Sequence, residues 1–130
     1  MDQTDRNLAL RVVTRPSDTN HYGTVFGGVI LSYIDQAGYV EARRYGAFTW
    51  VTASIQRVDF AAPVGVGDVV SFYTRTCAVG RTSLTVGIEV ESERVESGRT
   101  VQVTSATMTL VALDEHNRPT PITHETGRQP

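Results

Sequence analysis

The sequence predicts an α+β domain in which one long helix lies against a curved, mostly antiparallel sheet of five strands. Three observations predict it. One stretch alone, from Gly27 to about Tyr45, repeats its apolar residues with a helical period. The stretches that follow alternate apolar and polar residues with the period of a half-buried strand, and the breaks carry Pro, Gly or a change of parity. A chain of 130 residues closes a single core, so no internal domain boundary is expected.

Taken in order, residues 1–7 are polar and read as a flexible N-terminus, and residues 8–113 carry the domain. Leu8 to Thr14 alternates as a first strand, stopped at Arg15-Pro16 because proline lacks the amide that a strand ladder needs. The helix places Ile30, Ile34, Ala37 and Gly38 on one face, and Gly46 is a natural stop after Arg43 and Arg44, whose charges suit the negative end of a helix dipole. From Trp50, the residues Val51, Ala53 and Ile55 share one parity whereas Val58 and Phe60 take the other, which predicts a bulge or bend near Gln56 and Arg57. Strands over Val69–Ala78, Leu84–Glu91 and Thr100–Ala112 follow, the last switching parity between Val103 and Ala106. Residues 114–130 are polar and proline-containing, and read as a loosely held tail. A single helix covers one sheet face, which favours an oligomer.

Composition narrows the function. No window reaches the run of about eighteen apolar residues that spans a membrane, and the N-terminus lacks the apolar core of a secretory signal, so a cytoplasmic protein that does not engage membranes is expected. All 12 basic residues are arginine and none forms a run, which gives no electrostatic case for a nucleic-acid partner and excludes lysine Schiff-base chemistry. The lone Cys77 forms no internal disulfide and reads as a small buried strand residue; the three histidines are too scattered for a metal site, and His116 and His124 fall in the tail.

One stretch carries chemistry. The polar loop from Asp18 to Thr24 runs through Phe26 into the glycine pair Gly27-Gly28, which opens the helix, and Asp35 follows two turns later. Side-chain polar groups, bare amides and a carboxylate are the parts of a hydrolytic site. The unpaired amides at a helix start can hold a developing oxyanion, with Gly28 as donor and Gly27 clearing space, although both also serve as a tight loop-to-helix entry. Asp35 is either a solvated edge residue or a base or nucleophile at a carbonyl. Asn20 is either an Asx-turn residue or the group that orients water or a carbonyl, and His21 either lines the site or merely lies on the surface. Thr52 and Ser54 share strand parity and are candidates to line a substrate channel. Arg57 and Arg81 are candidate anion clamps, the second within the turn Gly80-Arg81-Thr82-Ser83, where amides and hydroxyls stand beside a guanidinium.

These fragments, in this order, resemble a family. Asp18-Thr19-Asn20, Phe26-Gly27-Gly28, Ile34-Asp35 with Ala37-Gly38, Val51-Thr52-Ala53-Ser54, Val58-Asp59-Phe60, Pro63-Val64, Val66-Gly67-Asp68-Val69-Val70 and Gly80-Arg81-Thr82-Ser83 together look like an acyl-CoA thioesterase of the hotdog fold, over roughly residues 8 to 113. The resemblance implies a sheet wrapped round its helix and a homodimer as the minimal unit, extended to a tetramer or hexamer. It implies an active site at the dimer interface, in which Asp35 of one subunit works with Asn20 of the other. It further implies hydrolysis of an acyl-CoA to a carboxylic acid and coenzyme A without a metal or redox cofactor, with Phe26 and the channel and clamp residues on the substrate. The rival readings are a hotdog enoyl-CoA hydratase, for which His21 is the one available histidine, and a non-catalytic acyl-CoA sensing module, against which Asp35 counts. His21-Tyr22 and the helix residue Glu41 depart from the family pattern; Glu41 is expected at an interface, paired with an arginine, or in the pocket.

Overall fold

The computed structural model of the chain describes residues 5–122. Its elements are β1 (Asn7–Val13), α1 (Gly27–Ala42), β2 (Thr49–Phe60), β3 (Val69–Val79), β4 (Ser83–Glu93) and β5 (Thr100–Leu113), with single turns of tighter helix at Pro16–Asp18 and Arg43–Tyr45. The five strands form one sheet in the order β1-β3-β4-β5-β2, every neighbouring pair antiparallel. β1 and β2 are consecutive among the strands yet occupy opposite edges, so the helix joining them crosses the whole face of the sheet and touches all five strands.

That crossing makes the core. Ile30, Ile34, Ala37 and Gly38 are buried on the sheet side of α1, as their spacing predicts. They meet Phe72 of β3, Leu84, Val86 and Ile88 of β4, and Met108 and Leu110 of β5, all at most 1% exposed. Gly38 is required by the close approach: a Cβ there would lie 2.1 Å from Met108 Sδ. The helix ends in the tight turn Arg43–Tyr45, stopped at Gly46, whose φ of 141° suits glycine alone.

The parity changes read from the sequence are bulges. β2 gains a residue against β5 between Gln56 and Asp59, with Arg57 in the left-handed region at φ 58°, and β5 accommodates its own switch where Val90 pairs with Thr104 but Glu91 pairs with Gln102, leaving Val103 between them.

Of the three alternatives for Glu41 the arginine pair is found, with Arg44 Nε at 4.0 Å; the carboxylate is buried and also accepts hydrogen bonds from Asn7 Nδ2 (3.1 Å), Thr74 Oγ1 (2.9 Å) and Thr76 Oγ1 (2.8 Å), and so ties α1 to β1 and β3. Three other expectations change. Cys77 stands on a strand but is exposed, as the extra residue where β3 shifts register against β4. The tail is held as far as Ile122, which is buried and donates its N–H to the Arg81 carbonyl (2.8 Å), while Thr120 donates to Ala112 (2.9 Å). The N-terminal segment is likewise engaged by Arg6, whose guanidinium lies 3.7 Å from the centre of the Tyr73 ring and bonds Glu89 and Glu91. His124 lies outside the described residues.

Candidate active site

The loop before α1 is built by its own backbone. Asp18 accepts the Arg15 amide on Oδ2 (2.9 Å) and the Phe26 amide on its carbonyl (3.0 Å), Thr19 bridges to Val25, and Asn20 and Thr24 close a tight turn with Gly23 at φ 86°. Val25 N–H then bonds the Val64 carbonyl (2.8 Å), which fastens the loop to the segment after β2. Asn20 performs the Asx role: its Oδ1 accepts the amides of Tyr22 (2.9 Å) and Thr24 (3.2 Å), and its side-chain amide donates to Thr24 Oγ1 (3.1 Å). This fixes the amide in place without excluding a further partner. His21 and Tyr22 lie exposed at the tip, their rings 3.9 Å apart.

Phe26 takes the N-cap position but supplies no capping side chain, and the Gly27 and Gly28 amides have no hydrogen-bond partner among the described residues. Both glycines are exposed. A Cβ at Gly28 would meet nothing within 4 Å, whereas one at Gly27 would lie 3.4 Å from the Phe60 ring. The start of α1 is therefore an open pair of N–H groups at the positive end of a dipole, with a phenyl ring beside it.

Asp35 is exposed on α1 and its Oδ1 accepts the hydroxyl of Thr52 from β2 (2.5 Å). The pair opens on a cavity of about 300 Å³ lined by Asp35, Gln36, Tyr39, Trp50, Thr52 and Leu110. Trp50 is braced by its Nε1–H to the Gly46 carbonyl (3.0 Å), and Tyr33 packs against Phe72. Eight residues at the helical rise put Asp35 about 12 Å along the axis from Gly27. One carbonyl group cannot touch both ends within one chain.

The channel residues divide. β2 carries a second irregularity: Thr52 pairs with Leu110 but Ser54 with Thr109, leaving Ala53 as the extra residue. Opposed residues share a face and successive residues alternate. Thr52 therefore faces α1 and Ser54 the other side of the sheet, which corrects their expected common face.

The turn Gly80–Ser83 is closed by the Gly80 amide on the Ser83 carbonyl (2.8 Å), which leaves it one free amide fewer than expected, and Arg81 is exposed. Ser83 pairs with Val111 and Val51 pairs with Val111 from the other side, so this turn lies only β5's width from the Thr52 end of β2. Arg57, five residues further along an extended strand, is about 17 Å from Thr52.

A second cavity, about 380 Å³, lies beside the open amides and is lined by Val25, Gly27, Ile30, Phe60, Val64 and Thr104 among others. Thr104 escaped the sequence reading, since a threonine in a β-strand carries no signal of its own. Asp68 is buried, and its carboxylate is taken up by four donors: Gly65 N–H, Ser92 Oγ, Arg94 Nη1 and Val95 N–H. Burial alone would raise its pKa; these donors outweigh burial and hold the carboxyl below the ordinary value. Among the described residues no three His, Cys, Asp or Glu side chains gather as a metal site.

Known proteins share this fold. A family model described as the Thioesterase superfamily matches residues 22–99. A Haemophilus influenzae protein named an uncharacterized acyl-CoA thioester hydrolase is 37% identical over 125 residues, 94% of this chain and 81% of that one. Among solved structures, Cj0915 of Campylobacter jejuni, described as a hexameric hotdog fold thioesterase, is 41% identical with a TM-score of 0.87 over 93% of each chain. HI0827, described as a hexameric broad specificity acyl-coenzyme A thioesterase and solved there as an aspartate-to-alanine variant, is 37% identical with a TM-score of 0.86 over 92% of this chain and 88% of that one. With the helix laid across an antiparallel five-stranded sheet and relatives matching almost its whole length, the chain belongs to the hotdog-fold thioesterase superfamily.

Proposed function

We propose that the protein hydrolyses acyl-CoA thioesters to carboxylic acids and coenzyme A, in a site shared by two subunits. The observation that carries this reading is the 12 Å or so between the two halves of the catalytic apparatus along α1. The carboxylate of Asp35 and the free amides of Gly27 and Gly28 each suit one side of a thioester carbonyl, yet only two chains can supply both to the same carbonyl. The sheet offers the means. β2 is an edge strand whose residues are mostly exposed, Val51 and Phe60 included. Antiparallel pairing of two β2 strands about their midpoint brings the Asp35–Thr52 end of one copy toward the glycine end of the other. The relatives described as hexameric support three such pairs in the full assembly.

In this site the Thr52 hydroxyl holds one oxygen of Asp35, and the other takes a proton from water as the water oxygen attacks the thioester carbon. The carbonyl oxygen becomes an oxyanion held by the partner's Gly28 at its amide, with the helix dipole behind it, and the partner's Asn20 orients the reactants. The tetrahedral intermediate collapses by breaking the C–S bond; coenzyme A leaves as thiolate and recovers the proton. The chain's own groups suffice, with neither metal nor redox cofactor in any step. In this reading Arg81, in the turn close to the Thr52 end, takes the phosphates, since a guanidinium binds these in pairs of hydrogen bonds. A hydratase reading has no observation in its favour: His21, its one candidate acid, is exposed at the loop tip.

Free-thiol release from short, long, branched and aromatic acyl-CoAs tests the reading, with wild type beside Asp35→Asn. Wild-type release, lowered by about 100-fold or more in a variant that still binds coenzyme A, is expected. Release that survives the substitution removes Asp35 from the mechanism, and no release from any substrate removes the function.

A further inference from the structure

Resting on that function, the second cavity has a chemistry of its own. Its walls are apolar, from Val25, Ile30, Phe60 and Val64, and Gly27 opens it to the free amides at the start of α1. Thr104, on β5 and 1% exposed, also lines it. The Thr104 hydroxyl has no hydrogen-bond partner among the described residues, although every other buried threonine hydroxyl has one: Thr14 donates to Gly65 and Thr74 to Glu41. A buried hydroxyl without a partner is costly, and an apolar wall of valine would serve packing alone equally well. Rotation about χ1 exchanges the hydroxyl and the methyl group, so the cavity can be offered either. Phe60 pairs with Thr104 directly across the β2–β5 ladder and its ring tip lies 3.4 Å from the Cβ position of Gly27, so its side chain walls the cavity from β5 to the start of α1.

We propose that this cavity receives the acyl chain, that Phe60 limits the chain's length, and that Thr104 selects acyl groups carrying an oxygen substituent, a hydroxyl or a carbonyl beyond the thioester carbon. The occupant follows from the lining. The thioester oxygen sits on the glycine amides at the cavity mouth, the apolar walls take methylenes, and the one unpaired polar group inside accepts or donates a single hydrogen bond. An unsubstituted chain leaves that hydroxyl unpaired; a substituted one satisfies it.

The test is the ratio of kcat/KM for 3-hydroxybutyryl-CoA over butyryl-CoA, and for 3-hydroxyhexanoyl-CoA over hexanoyl-CoA, measured by thiol release. A ratio of about three to ten in favour of the hydroxyacyl substrate is expected for wild type, the size of one net hydrogen bond. Thr104→Val, which preserves shape, should bring it to about one, and Thr104→Ser, which keeps the hydroxyl, should retain it. Phe60→Ala should shift the preferred chain to greater length. Sedimentation of each variant verifies that the assembly is retained. A ratio equal in wild type and Thr104→Val, with hydrolysis of both substrates intact, overturns the selectivity and leaves the hydrolase standing. Absence of thiol release from every acyl-CoA by wild type overturns the function on which it rests.

Discussion

The role proposed for Asp35 rests on a neighbouring residue. On α1 it is exposed, and its position near the edge of the apolar face gives no more than a solvated carboxylate. What changes this is Thr52 on β2, whose hydroxyl is bonded to Oδ1 and fixes the carboxylate plane toward the cavity beside Trp50. Thr52→Val keeps the strand and the volume but frees the carboxylate, so kcat should fall by about tenfold while KM moves little. Steady-state kinetics on one acyl-CoA checks this; an unchanged kcat would mean that Asp35 is oriented without the threonine. The glycine pair and Asp35 were legible in the sequence because their chemistry and order are unusual. The Thr52 bond was not, since which side chain faces the helix depends on an extra residue at Ala53 that alternation alone does not reveal. The same irregularity sends Ser54 to the opposite face. Thr104 was illegible for a related reason: an unpaired hydroxyl becomes visible only when every neighbour is in place.

At the scale of elements, the sheet and helix followed from periodicity. The four-residue alternation of Leu84, Val86, Ile88 and Val90 became β4, the buried centre of the sheet, and the parity breaks in β2 and β5 became bulges. Polar links between elements were harder to read. Glu41 interrupts the apolar face of α1, and only the assembled fold reveals Asn7, Thr74 and Thr76 converging on it. Glu41→Leu suits the apolar stripe yet strands those donors, so it should destabilise the fold by about 2–4 kcal/mol in urea denaturation; a neutral effect would show that the donors find water instead. Asp68 clasps the segment after β2 to the β4–β5 hairpin through Ser92, Arg94 and Val95. Its folded pKa lies below the unfolded one, so its stabilisation is complete above the ordinary carboxylate value of about 3.9 and is lost as pH falls through the folded value. Thermal melts in acid should therefore fall more steeply with decreasing pH for wild type than for Asp68→Asn, and parallel profiles would contradict the clasp.

At the scale of the whole molecule, the proposed function calls for more than one copy. A lone protomer leaves the β2 edge open, exposes Phe26, Tyr39, Val51 and Phe60, and separates its carboxylate from its helix-start amides. A single helix on a single sheet favours an oligomer, and the family resemblance implies the pairing of Asp35 with Asn20; the proposed shared site adds the distance along α1 as its physical ground. Mixing two inactive variants tests the shared site. Asp35→Asn and Asn20→Ala are unfolded together, refolded in equal amounts, and assayed for thiol release. Random pairing makes half the dimers hybrids, and each hybrid regains one of its two sites, so about a quarter of wild-type turnover should return. If the mixture, shown to contain hybrid dimers, stays as inactive as either parent, each site lies within one chain and no shared site exists.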